Sequence, residues 1–219
     1  MKKLVTGFQR FRDHVFEEHR TLFEQLASGQ TPQALFIGCS DSRLVPALLT
    51  QSRPGDLFVL RNAGNLVPPY GAGHGGGEAA TIEYAIEALG VEHVVVCGHS
   101  HCGAMKALIS PEPPEGMPEV RSWLAQAEAT RRLVARCYSD REPMERLNVA
   151  IQENVLQQLV NLRTHPAVAA RLAEGRLQLH AWVYKLESGE IFVHDETVGQ
   201  FRALHEAGLD GLGREERAP

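Results

Sequence analysis

Five short apolar runs follow Pro32, and their spacing constrains the fold more than any other feature of the chain. They are rich in Val, Ile, Leu and Phe: ALFIG (34–38), LFVLR (57–61), HVVVCG (93–98), LQLHAWVY (177–184) and IFVHD (191–195). The first and third are almost wholly apolar, which is typical of parallel strands buried on both faces. Apolar residues at helical spacing occupy the intervening segments 78–90, 120–137 and 144–162.

Strands that alternate with helices predict an α/β fold with a mainly parallel central β-sheet and flanking helices. The last two runs are joined by Glu-Ser-Gly-Glu at 187–190, a hairpin signal that predicts an antiparallel edge strand. The 219 residues carry no repeat and no shift in composition, so we expect a single domain. Within it we expect an N-terminal helical arm (1–30), an α/β core (31–200) and a C-terminal tail (201–219).

The N-terminal arm has its own apolar periodicity, which predicts one or two amphipathic helices between Leu4 and Leu26. Four of the eight phenylalanines lie there: Phe8, Phe11, Phe16 and Phe23. This aromatic surface either packs on the chain's own core or contacts a second subunit, and the composition is compatible with both.

Composition excludes several classes of protein. The 22 Lys and Arg against 27 Asp and Glu give a net charge of −5, so we expect no nucleic-acid partner. No apolar run approaches the about 20 residues of a membrane-spanning helix, so we expect no membrane partner. The N-terminus lacks the uninterrupted apolar stretch of a secretory signal, and four cysteines are too few for a disulfide scaffold, so we expect a cytoplasmic protein.

Two polar segments, CSDSR (39–43) and HSHCG (99–103), directly follow apolar runs. Since ligands bind beyond the carboxyl ends of strands in open parallel sheets, Cys39, His99 and Cys102 converge if these strands are neighbours. Two thiolates and an imidazole are ligands that Zn²⁺ prefers, and three protein ligands leave a fourth position for catalysis. Taken singly, a strand-end cysteine is more often a small buried apolar residue, and Asp41 could instead cap the following helix.

The other two cysteines, Cys97 and Cys137, are predicted to be packing residues buried in a strand and in a helix. Most of the histidines are predicted to be exposed or hydrogen-bonded groups without a catalytic role. A glycine run at 71–77 precedes a helix, but no Lys-Ser or Lys-Thr follows it as a nucleotide-binding loop requires.

Three blocks, CSDSR (39–43), RNAGN (61–65) and GHSHCGA (98–104), together resemble the signature of β-class carbonic anhydrases. The resemblance extends over nearly the whole chain and is greatest to bacterial forms, including those of cyanate operons and the catalytic part of cyanobacterial carboxysomal enzymes. The sequence leaves three physiological roles open, namely bicarbonate supply, cyanate metabolism and carbon concentration. The absence of the long tail associated with the carboxysomal forms favours the first two.

The resemblance implies one zinc ion per subunit, bound by Cys39, His99 and Cys102. It further implies that CO₂ and bicarbonate are interconverted by a zinc-bound hydroxide, which Asp41 and Arg43 orient as a dyad. The substrate pocket implied by the resemblance consists of Gln30, Phe58, Tyr84 and Gly103. In the family the first three line a pocket shared across a dimer interface, and the N-terminal arm wraps the partner, so we expect a homodimer or a higher assembly such as a homotetramer.

Some family members close the site by using the aspartate as a fourth zinc ligand. Such enzymes often carry a tryptophan three residues before the first cysteine, where a non-catalytic bicarbonate binds with an arginine and a tyrosine. This chain has Phe36 there, although Arg61 and Tyr184 match the other two positions. The difference favours an open site.

Two other functions are compatible with these residues: a related zinc hydrolase acting on carbon disulfide, and a non-catalytic zinc-stabilised interaction module. His74 is a candidate proton shuttle.

Overall fold

A computed structural model describes residues 1–72, 76–112 and 114–206. Its centre is a six-stranded sheet in the order β2-β1-β3-β4-β5-β6. The strands are β1 (Ala34–Cys39), β2 (Leu57–Asn62), β3 (His93–His99), β4 (Gln178–Tyr184), β5 (Ile191–Asp195) and β6 (Gln200–Ala203). The first four pair in parallel, whereas β5 and β6 are antiparallel. The predicted α/β fold with an antiparallel edge is therefore confirmed.

Nine α-helices lie in the described part of the chain. They are α1 (Lys2–Arg10), α2 (Arg20–Leu26), α3 (Pro46–Thr50), α4 (Gly77–Glu83), α5 (Gly103–Ile109), α6 (Pro118–Leu124), α7 (Glu128–Cys137), α8 (Pro143–Leu162) and α9 (Pro166–Ala173). Phe11–Phe16 and Tyr84–Ala88 form π-helical turns, and Ala125–Ala127 forms a 3₁₀ turn. None of the described helices is both long and apolar enough to span a bilayer.

The two central strands, β1 and β3, are the most completely buried elements of the sheet. Every residue of β1 is buried, and so is every residue of β3 after His93, because other elements cover both faces of these strands. Helix α8 packs across β3 and places Ile151 and Val155 beside Gly98. A side chain at Gly98 would collide with that helix, so the glycine permits the close approach.

The structure contains elements that the sequence patterns do not predict. Strand β6 pairs with β5 and extends the sheet to Ala203, three residues into the predicted tail, so two antiparallel strands rather than one follow β4. The short helices α3, α5 and α9 are also additional. The remainder of the predicted tail, from residue 207, lies outside the described residues.

The strand order creates the crevice in which the predicted site lies. After β1 the chain forms β2 on one side and then crosses over to form β3 on the other. The connections beyond the carboxyl ends of β1 and β3 therefore diverge, which leaves a crevice between those ends. Cys39 is the last residue of β1 and His99 the last of β3, so both face this crevice edge of the sheet.

Candidate active site

Three side chains meet at the carboxyl edge of the central strands. Cys39 ends β1, His99 ends β3, and Cys102 directly precedes α5. One ligand atom from each lies within 4.8 Å of the other two, and all three residues are buried. We refer to these three residues as the Cys-His-Cys cluster. In the described part of the chain it is the only group of three or more His, Cys, Asp or Glu residues whose ligand atoms are close enough to hold a metal ion.

The two thiols of the cluster influence each other's ionisation. Their Sγ atoms are 4.0 Å apart, and the backbone N–H of Gly64 donates to Cys39 Sγ at 3.4 Å. Hydrogen bonding from Cys102, aided by that N–H, lowers the pKa of Cys39. The hydrogen bond to Cys39, together with burial and the negative charge on Cys39, raises the pKa of Cys102. A second thiolate beside the first therefore requires a cation, which a divalent metal ion supplies.

His99 presents an unused nitrogen to the same point. Its Nδ1 lies 2.9 Å from the carbonyl oxygen of Ser100, so Nδ1 carries the proton and Nε2 is the free acceptor of the neutral ring. Nε2 is fully buried and has no hydrogen-bond partner among the described residues. A buried nitrogen without a partner is costly unless a missing group binds it.

The donor set fits zinc. Zn²⁺ in proteins binds Cys and His in a tetrahedron whose thiolates, at about 2.3 Å from the metal, lie about 3.8 Å apart. The separation of 4.0 Å between Cys39 Sγ and Cys102 Sγ is close to that value. Three protein ligands leave one tetrahedral position for water or substrate, as in catalytic rather than structural zinc sites.

Asp41 and Arg43 form a two-pronged ion pair beside the cluster. Arg43 Nε donates to Oδ1 of Asp41 at 2.9 Å, and Nη2 donates to Oδ2 at 2.8 Å. The backbone N–H of Arg43 also donates to Oδ1, at 3.0 Å. These donors hold the pKa of Asp41 well below its usual range, so the carboxylate is ionised. Its Oδ2 lies 3.9 Å from His99 Nε2, at the rim of the cluster.

Asp41 does not cap the helix that follows. Helix α3 begins at Pro46, and its N-cap residue is Val45. The carboxylate instead closes a local turn through the N–H of Arg43.

Arg61 supports the turn after β1, a role that the sequence reasoning missed. Its Nε donates to the carbonyl oxygen of Cys39 at 2.9 Å, and its Nη2 donates to that of Asp41 at 2.6 Å. Together with the Gly64 N–H, these bonds tie the RNAGN segment to the first ligand. The sequence signal that could have indicated this role is the position of RNAGN at the end of the neighbouring strand β2.

Residues 99–102, which include two of the three candidate metal ligands, are here called the ligand turn. His101 within it has a φ of 57°, a left-handed conformation that is strained for a non-glycine residue. Arg43 Nη2 donates to the His101 carbonyl oxygen at 3.3 Å. The imidazole of His101 lies outside the cluster, with Nε2 at 3.6 Å from Oε2 of Glu187.

The four predicted substrate-pocket residues do not all lie in one place within the chain. The rings of Phe58 and Tyr84 lie 5.9 Å apart between centroids. Gln30 and Tyr84 line an open cavity of about 650 Å³, and none of the three cluster residues lines it. Gly103 is the first residue of α5, next to the third ligand. Within one chain, therefore, Gln30 and Tyr84 line a cavity distinct from the cluster.

Two predictions about cysteines have different outcomes. Cys97 is fully buried in β3, and burial raises its pKa to about 12, so it is a packing thiol as predicted. The prediction of a buried Cys137 is wrong: it is exposed at the last residue of α7, because the apolar face of that helix buries Thr130 and Val134 instead.

The remaining predictions concern a histidine and the position three residues before Cys39. Candidate shuttle His74 lies outside the described residues. Phe36 is fully buried and packs edge-on against Trp182, with ring centroids 6.5 Å apart.

Comparison with known proteins identifies close relatives. Residues 34–191 match the family model described as carbonic anhydrase. The carbonic anhydrase of Synechococcus elongatus is 51% identical over 219 residues, which cover the whole of this chain and 80% of that protein. The solved β-carbonic anhydrase CcaA has a TM-score of 0.89 at 52% identity, covering 93% of this chain and 98% of that one. One of two tetrameric β-carbonic anhydrases from Sordaria macrospora has a TM-score of 0.79 at 29% identity, covering 92% and 98%.

Proposed function

Because this chain belongs to the β-class of the carbonic anhydrase family, whose activity is the zinc-dependent hydration of CO₂ to bicarbonate, we propose that its Cys-His-Cys cluster holds the zinc ion. The observation that carries this proposal is the convergence of three buried ligand atoms on one point, one of them an unpartnered imidazole nitrogen. Zinc, when bound, supplies a Lewis acid that lowers the pKa of water. A single zinc ion per subunit would be bound by all three residues of the cluster.

Asp41 directs the attacking water in this proposal. Its Oδ2 lies at the rim of the cluster and accepts a hydrogen bond from the water, which aims an oxygen lone pair at the carbon of CO₂. Arg43 holds both carboxylate oxygens, and this fixes the orientation of Asp41 and keeps it from serving as a fourth metal ligand. An open site is therefore proposed, with Asp41 as the catalytic residue and Arg43 as its partner.

Substrate binding is assigned to Gln30, Phe58, Tyr84 and Gly103. The two aromatic rings supply an apolar wall for CO₂, and the Gln30 amide supplies a polar partner for an oxygen of bicarbonate. Tyr84 is 51% exposed in the single chain, which accords with a pocket completed by a second subunit. The reaction consumes one water and one CO₂ and yields bicarbonate and a proton that leaves to solvent.

A homodimer, or a higher assembly of dimers, is the proposed functional unit. The arm leaves Leu4 68% and Phe8 63% exposed, an apolar surface suited to a second copy. The tetrameric relatives from Sordaria macrospora are consistent with this assembly. We also propose a cytoplasmic location, supported by the four free cysteines, two of which must stay reduced to bind a metal ion.

The alternative functions have less support. Carbon disulfide hydrolysis and a non-catalytic zinc module would use the same three ligands. The similar proteins are carbonic anhydrases by name, and a closed structural zinc site has no need for the ion pair of Asp41 and Arg43.

Replacement of Asp41 tests the proposed mechanism. In Asp41→Ala, we expect zinc content equal to wild type, because the three ligands remain, and a loss of CO₂ hydration of about 100-fold or more. Asp195→Ala is the matched control, since it removes another aspartate that pairs with an arginine, on the edge hairpin. Stopped-flow hydration assays and metal analysis on the same samples provide the comparison. Normal turnover in Asp41→Ala would refute the role of Asp41.

A further inference from the structure

The ligand turn is bonded on one side to the hairpin turn between β4 and β5, residues 185–190. The backbone N–H of Ser100 donates to the carbonyl oxygen of Tyr184 at 2.8 Å, which continues the β3 to β4 pairing past His99. The N–H of Leu186 then donates to Ser100 Oγ at 2.9 Å. Two bonds therefore already fix Ser100, one to the end of β4 and one to the hairpin turn.

A third bond completes this connection and uses a charged side chain. Ser100 Oγ donates to Oε2 of Glu187 at 2.6 Å. Ser100 is buried, with 1% of its surface exposed, whereas Glu187 lies at the surface. The hydroxyl therefore accepts one hydrogen bond, from the N–H of Leu186, and donates its single proton to Glu187.

The position of Ser100 determines the geometry of two metal ligands. Its carbonyl oxygen accepts from Nδ1 of His99, which sets the ring tautomer and its orientation. His101, the next residue, adopts the strained left-handed conformation that brings Cys102 back toward the first two ligands. A strained backbone conformation persists only where surrounding contacts hold it, and the contacts on this side come from the hairpin turn.

We propose that Glu187 is a positioning residue for the metal site: through the Ser100 hydroxyl it holds the ligand turn in the conformation that places His99 and Cys102 for zinc. This inference rests on the proposed metal ligands and adds to them a supporting residue in the hairpin turn, 87 residues beyond Ser100. Partners beyond the ligands of metal sites typically change metal affinity by about 10-fold to 100-fold when they are removed.

Three substitutions of Glu187 distinguish positioning of the ligand turn through the hydrogen bond to Ser100 from an effect of the negative charge of Glu187 alone. Glu187→Gln removes the charge but keeps an oxygen that accepts from Ser100, whereas Glu187→Asp keeps the charge but is too short to reach. We expect zinc affinity, measured by chelator competition on the full-length protein, to fall about 10-fold to 100-fold in Glu187→Asp and Glu187→Ala. We expect Glu187→Gln to stay within about 3-fold of wild type.

Glu190→Ala is the matched control, because Glu190 lies exposed on the same hairpin turn and bonds there through its backbone. Wild-type affinity in Glu187→Asp would overturn the proposal, and so would equal losses in Glu187→Gln and Glu187→Ala. If Glu187→Ala does not fold, the Asp and Gln variants decide alone. Wild-type protein that binds no zinc would instead refute the metal site itself, so the two failures are distinguishable.

Discussion

Charge balance governs the chemistry around the Cys-His-Cys cluster at the scale of single residues. Two thiolates carry a formal charge equal and opposite to that of Zn²⁺, so a zinc ion held by them acidifies water less than one held by three neutral imidazoles. Orientation of the attacking water by a neighbouring carboxylate therefore matters more. Asp41 is suited to this role, since Arg43 keeps it ionised and fixed.

The close approach of α8 to Gly98 predicts that a side chain at this position destabilises the protein. A Cβ added there would lie 2.8 Å from Cγ2 of Val155 and 2.9 Å from Cγ2 of Ile151. We expect Gly98→Ala to lower the free energy of unfolding by about 1–3 kcal/mol, because α8 or β3 must shift to relieve the overlap. Urea unfolding followed by circular dichroism measures this change.

Gly29→Ala is the control for that experiment, since a Cβ there meets no atom within 4 Å. Its free energy of unfolding should stay within about 0.5 kcal/mol of wild type. Equal stability of the Gly98→Ala and Gly29→Ala proteins would show that α8 does not pack against β3 as described.

Among the secondary-structure elements, the N-terminal arm differs most from the rest. Phe11, Phe16 and Phe23 pack on one another, with ring centroids 5.3–6.5 Å apart, so part of the aromatic surface is satisfied within the arm. Phe8 lies in α1 outside this group and remains 63% exposed. From the sequence, the phenylalanines could pack either on the chain's own core or on a second subunit. In the structure, three of them pack on one another within the arm, and Phe8 lies on an exposed face.

The exposed face of the arm predicts a change of assembly. We expect Phe8→Glu to shift the protein toward monomers, because the charge would be buried without a partner in an apolar interface. Gln9→Glu introduces the same charge at the neighbouring exposed position and should leave the assembly unchanged. Size-exclusion chromatography with light scattering measures the mass. An unaltered oligomer in Phe8→Glu, or a monomeric wild type, would contradict the proposed role of the arm.

The elements that the sequence predicts differ physically from those that it does not. Strands β1 and β3 are nearly continuous apolar runs, and α8 keeps its apolar period over 20 residues, so their own patterns identify them. Strand β6 has four residues, two of them Gln200 and Arg202, and α3 has five. Such short elements are stabilised by pairing and packing with distant segments, and a local pattern does not report those contacts.

The same distinction applies to the candidate site. Cys39, His99 and Cys102 could be predicted because strand ends and ligand chemistry both mark them. Arg61 and Glu187 could not, since their roles depend on a strand-end carbonyl 22 residues away and a hydroxyl 87 residues away.

At the scale of the whole molecule, the strand order explains why the site lies where it does. Cys39 and His99 meet only because β1 and β3 are neighbours and their connections diverge. Gln30 and Tyr84, which are proposed for substrate binding, line a cavity apart from the cluster of their own chain. Because these residues are proposed to serve the cluster of a partner chain, a second subunit is part of the proposed functional unit.

In the proposed function, CO₂ hydration depends on zinc bound by the Cys-His-Cys cluster. Zinc content and CO₂ hydration, measured on the same preparations of wild type, Cys39→Ser and Cys137→Ser, test it most directly. Cys137 is exposed and outside the cluster, so its variant controls for loss of a thiol. We predict about one zinc per chain and full activity in wild type and Cys137→Ser, with both lost together in Cys39→Ser. Hydration activity in zinc-free Cys39→Ser, or tight zinc binding without Cys39, would show that the Cys-His-Cys cluster is not the catalytic zinc site.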